Sequence, residues 1–233
     1  MSGRDDLMSA TPLTAPERGF ATDEFAARTD RAQRRMAEDG IAGMLLMTEP
    51  EVRYFTGFQT LFWQSPTRSW FLFVPAAGKP VAVIPEIGAA LMRRTWIDDI
   101  RTWSAPTPAD DGISLLADLL APLARGGAVL GVMKGHETHL RMPLADWERL
   151  MATSPGIGIT DVTGLVQGLR MVKSEAEIAK LRHICAIGSA AFDAVPEFAA
   201  AGQPLDSVFR AFRRAAIGPV SYTHLTLPTI VSV

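Results

Sequence analysis

One cysteine occurs in 233 residues, Cys185, so no intrachain disulfide can form and the fold must rest on its apolar core. A chain of this length buries roughly 70% of the surface that its unfolded form exposes, and it needs neither metal nor disulfide staples. Cys185 stands between Ile184 and Ala186 in a helical pattern and is expected to pack as a small apolar residue. Positive charge is not in excess. The 23 Lys and Arg are scattered among 25 Asp and Glu, for a formal charge of −2, which argues against nucleic acid or an anionic membrane as partner. No run approaches the roughly 20 apolar residues needed to cross a bilayer. The start, "MSGRDDLMSATPLTAPERG", has two Asp where a secretion signal needs a basic region. Residues 1–20 therefore read as a flexible lead-in and the protein as cytoplasmic.

Several catalytic signatures are missing too. "GGAVLGVMKG" does not match the dinucleotide fingerprint, no phosphate-cradling Gly-Lys-Ser/Thr segment occurs, and no G-x-S-x-G elbow is present. "GHETH" gathers His136, Glu137 and His139, but its histidines lie three apart where the helical zinc motif needs four, so a surface loop is expected.

What is there is an alternation of strand and helix signals. Phe25, Ala32 and Met36 form the apolar stripe of a helix from Thr22 to Gly40, with Thr22 as its expected cap and the arginines on a solvated face. "IAGMLLM" (41–47) reads as a strand covered on both faces. Thr48 and Glu51 have the spacing of a capping box, and the short helix they start ends near Gly57. "SWFLFVPAAGKPVAVI" (69–84) reads as a β-hairpin. Further helices are expected over 88–95, 112–123 and 143–152, and strands over 100–103, 128–133 and 157–162. This predicts an α/β layer with a mostly parallel or mixed sheet over residues 21–162. Ser174 and Glu177 then cap a long helix striped by Ile178, Leu181, Cys185, Gly188, Phe192 and Val195, and Pro204 opens a second helix. Between Gln59 and Trp70, Phe62, Trp63, Arg68 and Trp70 concentrate aromatics and a cation in one loop. Such a cluster suits either recognition of a small carboxylate or plain hairpin packing.

The stretches "RAQRRMAEDGIAGMLLMTEPEVRYFTGF", "GKPVAVIPEI" and "LRMVKSEAEIAKLRHICAIGSAAF" resemble the creatinase, prolidase and Xaa-Pro aminopeptidase group of pita-bread metallopeptidases. "YFTGF" (54–58) and "RMVKSEAEIAKLR" (170–182) carry most of the likeness. The resemblance implies an α/β N-terminal domain (21–162) that dimerises and shapes the substrate site, a linker (163–172), and the first two helices of a catalytic domain (173–218). It implies two divalent metals (Mn, Zn or Co) in the parent enzyme, held by two Asp, one His and two Glu that this chain does not supply. It assigns no cofactor, catalytic residue or metal ligand to the chain itself. "VSYTHLTLPT" (220–229) resembles a translated sequencing adapter, so residues 219–233 are expected to be a non-native tail. The expectation is a truncated product, inactive alone, of a hydrolase acting on small peptides or amide-like substrates. Trp63 and Arg68 are its candidate substrate contacts, acting across a homodimer. The other reading is a non-enzymatic dimerisation or small-ligand α/β module.

Overall fold

Ile41 to Met47 has no polar side chain before Thr48, and a strand with no polar face must be covered on both sides. In the computed structural model, which describes residues 15–65 and 68–218, Gly43–Leu46 forms β1 inside a six-stranded sheet of order β4-β3-β2-β1-β5-β6. The other strands are β2 (Phe71–Pro75), β3 (Val81–Pro85), β4 (Ile100–Trp103), β5 (Val129–Val132) and β6 (Gly158–Asp161). β1 pairs antiparallel with β2 and parallel with β5, and β3–β4 and β5–β6 are parallel, so the sheet is mixed. β2 and β3 form the expected antiparallel hairpin.

Successive strand residues face opposite sides, and each side has its own core. Met44 and Leu46 pack in one cluster with Ala32 and Met36 of α1 (Thr22–Glu38) and with Val52 and Phe55 of α2 (Glu49–Thr56). Leu45 and Met47 pack in the other with Leu116 and Leu120 of α4 (Ile113–Gly126) and Leu150 of α5 (Leu144–Thr153). A short helix, α3 (Ala89–Met92), follows β3.

Four expectations are corrected. Thr22 is the first helical residue of α1, the cap position belongs to Ala21, and no side chain caps it. Thr48 sits at the cap of α2 without a side-chain hydrogen bond, and the Glu51 carboxylate, the other half of the expected box, is turned inward to an ion pair with Arg170 at 2.8 Å. Residues 163–172, read as a linker, contain the helix α6 (Thr163–Met171), whose Val166 is buried and whose Leu165 and Leu169 pack on the first core. Cys185 is exposed, because the inward face of α7 (Glu175–Asp193) is centred on Ile187 and Ala191.

The described residues divide into two units, 19–172 and a second that holds residues 15–18 and 173–218. In the second, α7 begins with the expected reciprocal box: Ser174 Oγ accepts from the Glu177 N–H (3.2 Å) and the Glu177 carboxylate from the Ser174 N–H (2.9 Å). The short α8 (Val195–Phe198) and α9 (Leu205–Ile217) follow, with Phe192 and Phe212 rings 4.8 Å apart. Residues 219–233, read as a non-native tail, lie outside the described residues. No described helix is long and apolar enough to cross a membrane.

Candidate functional site

The aromatic loop between α2 and β2 starts where Gly57 ends α2 in the left-handed region (φ +75°). Thr60 then accepts from the Phe62 N–H (3.3 Å) and starts a 3-10 turn over Leu61–Gln64. That turn splits the aromatic cluster. Trp63, expected at a recognition surface, is 8% exposed, with its ring 5.6 Å from Trp70 and 6.3 Å from Phe58. Among the described residues its buried indole N–H has no acceptor. Phe62 is 41% exposed and stacks on Trp70 at 6.4 Å, beside the exposed Leu61. Arg68 is half-buried. Among the described residues no hydrogen bond or ion pair involves its guanidinium, while its carbonyl is held.

The group that holds it is Arg141, in the loop after β5. Its Nη1 donates to the Arg68 carbonyl, and its Nη2 to the carbonyls of Ser65 and, at 3.4 Å, Trp63. The same guanidinium lies 5.1 Å from the centre of the Trp63 ring. Glu49, at the start of α2, supplies the countercharge. Burial raises its carboxyl above the usual range against the attraction of Arg53 and Arg141, and burial lowers both arginines against the attraction of Glu49. The amide of Gln59 turns its oxygen to Arg53 Nε at 2.8 Å, which links the start of the aromatic loop to α2.

The sequence brought forward Trp63 and Arg68, and the structure places them on one loop, Trp63 buried and Arg68 half-buried. Arg141 was missed. Its only signal in the sequence is a lone cation between Leu140 and Met142, both of which pack on the second core and so fix the backbone that carries it.

The other candidates contribute less. His136, Glu137 and His139 lie on the turn after β5, with Glu137 at φ +59°. Among the described residues no group of three or more His, Cys, Asp or Glu is arranged to hold a metal ion, so they do not fit a dinuclear centre. Asp161 accepts from the N–H groups of Lys134 and Thr163 (both 3.1 Å) and from the Thr163 hydroxyl (2.6 Å). These bonds, that of the Thr163 hydroxyl foremost, hold its carboxyl below the usual range, and they tie the end of β5 to α6. A half-open cavity of about 270 Å³ lies between Phe20, Phe25, Arg94 and Trp96. The Trp96 N–H beside it is already spent on the Phe55 carbonyl (2.8 Å).

A mixed six-stranded sheet covered by helices on both faces, with an aromatic loop whose carbonyls meet Arg141, defines an α/β domain. The chain belongs to the Creatinase/Prolidase N-terminal domain family, whose profile matches residues 28–172. It is 27% identical over 199 residues to a probable dipeptidase PepE of Mycobacterium tuberculosis, covering 80% of this chain and 46% of that protein. It is 26% identical over 217 residues to a creatinase of a Bacillus species, covering 89% and 49%. Among solved structures, a dipeptidase PepE from Mycobacterium ulcerans superposes with a TM-score of 0.63 at 24% identity, covering 86% of this chain and 51% of that one. A prolidase from Thermococcus sibiricus gives 0.69 at 16% identity, covering 84% and 50%. The chain spans about half the length of the curated relatives it matches.

Proposed function

We propose that this chain is the front half of a dinuclear-metal hydrolase of the Xaa-Pro dipeptidase or creatinase kind, cleaving a C–N bond in a small peptide or amide-like substrate. In this reading residues 19–172 pair with a second copy of the chain and shape its substrate site. The metal ligands come from sequence beyond these residues, and the 233-residue chain is inactive alone. The observation that carries the reading is Arg68: a half-buried cation whose side chain has no partner among the described residues, while its carbonyl is held by Arg141. A guanidinium placed this way suits a substrate carboxylate, which it can bind through two parallel hydrogen bonds. Trp63 takes the role of anchor for that loop, and Arg68 that of the contact.

The test is Arg68→Ala in the enzyme that carries the catalytic domain, assayed on a dipeptide with a C-terminal proline. Loss of one charge-assisted contact should raise KM about ten- to a hundredfold with kcat little changed. Unchanged kinetics would refute the assignment. The family profile ends at Val172, where the first unit also ends, and this coincidence keeps a second reading in play: a non-enzymatic dimerisation or small-ligand module. That reading expects the natural gene to stop without any metal-ligand strands.

A further inference from the structure

Three carbonyls of one loop, those of Trp63, Ser65 and Arg68, converge on a single guanidinium contributed from 73 to 78 residues further along the chain. Carbonyl oxygens aimed at a common point repel one another unless a donor sits there, and the planar guanidinium, with five N–H donors and a face that stacks on an indole, fits that point better than any other side chain. A cation–π contact is present, with the guanidinium 5.1 Å over the Trp63 ring, and so is a supported origin, because Leu140 and Met142 on either side of Arg141 pack against the core. We infer that Arg141 is a positioning residue: it clamps the loop at Trp63, Ser65 and Arg68 and thereby sets where the Arg68 guanidinium stands. The inference rests on the reading of Arg68 as a substrate contact for its kinetic consequence only; the clamp itself is a property of this chain.

The two parts are separated by experiment. In the 233-residue chain, Arg141→Ala should accelerate amide exchange of residues 61–65 and 68–70 at least tenfold while the amides of β1 and β5 keep their protection, and millimolar guanidinium ion should slow the loop again. Arg141→Lys keeps a charge and a stem but has no plane to span the carbonyls, so it should free the loop nearly as much; it also serves if the alanine variant fails to fold. Loop exchange unchanged in both variants overturns the clamp. In the enzyme carrying the catalytic domain, Arg141→Ala should raise KM with kcat nearly kept, and should add nothing further once Arg68→Ala is present. An equal rise in both backgrounds overturns positioning through Arg68 and leaves a structural role alone. Faster exchange with a KM that neither variant moves supports the clamp and refutes Arg68 as the contact.

Discussion

Arg28 is 1% exposed and yet charged, and its surroundings show how this chain accommodates a buried cation. It donates to the Glu24 carboxylate (3.0 Å) and the Tyr54 carbonyl (2.8 Å), between the rings of Phe20 (4.3 Å) and Tyr54 (4.4 Å). Glu51 is the opposite case. It is 4% exposed and pairs with Arg170, but burial outweighs that attraction and leaves its carboxyl above the usual range. A carboxyl raised in the folded state binds more protons there than in the unfolded chain, so its contribution is most favourable below the unfolded value near 4.5 and is lost as pH rises through the folded one. Glu49 is raised as well and acts in the same direction. Asp110 and Asp161 are lowered, and their contributions are lost only as pH falls below 3.8, outside this window. Glu51→Gln should therefore flatten the fall in stability between pH 4.5 and neutrality, by up to about 1.4 kcal/mol per pH unit where the carboxyl titrates. Urea unfolding of both proteins across that range reads it directly, and parallel curves would show that the ion pair, rather than burial, governs Glu51.

At the scale of elements, two helices share the same starting pattern and differ in what their glutamates do. Ser174 and Glu177 complete their reciprocal bonds at the start of α7, whereas at α2 Thr48 makes no side-chain cap and the Glu51 carboxylate, which would return the second bond, is committed to Arg170. Ser174→Ala should thus cost about 1 kcal/mol in the protection of the first turn of α7. Thr48→Ala should cost α2 well under half of that, and equal losses at the two helices would refute the distinction. The spacing of sequence letters can express a pattern of this kind, but not a competitor for one of its members from 119 residues away. The same limit separates what could be read in advance from what could not. The strands, the hairpin and the stripe of α1 follow from local apolar periodicity. α6 did not, since Gly164 and Gly168 weaken its helical signal and its stability comes from Leu165, Val166 and Leu169 meeting a core built elsewhere. On α7 the apolar letters run past the buried face, and an offset of one residue, about 100° around a helix, leaves Cys185 and Phe192 outside while Ile184 and Ile187 turn inward. In the loop, composition pointed to Arg68, but which aromatic anchors and which cation clamps depends on Arg141, and only the folded chain brings it there.

The two units differ in how much of their apolar surface they cover, and this sets an expectation for the whole molecule. Residues 19–172 enclose both faces of a six-stranded sheet, and Met44, Leu72, Val83, Leu116 and Leu130 are fully buried there. Within α7, α8 and α9 only Ile187 and Ala191 are buried, while Phe192, Leu205 and Phe209 are 68%, 78% and 57% exposed. Helices of 19, 4 and 13 residues have little stability without an apolar face to cover, since helix formation in water is marginal at these lengths. A chain ending at Val172 should accordingly keep the main unfolding transition of the 233-residue protein, with its midpoint within a few degrees. The full chain should in addition bind a hydrophobic dye that the shorter one does not, and its α7–α9 amides should exchange far faster than those of β1 and β5. Slow exchange in α9, matched to the sheet, would mean that the exposed phenylalanines are covered in solution, and loss of the main transition on shortening would mean that residues 173–218 support the sheet domain.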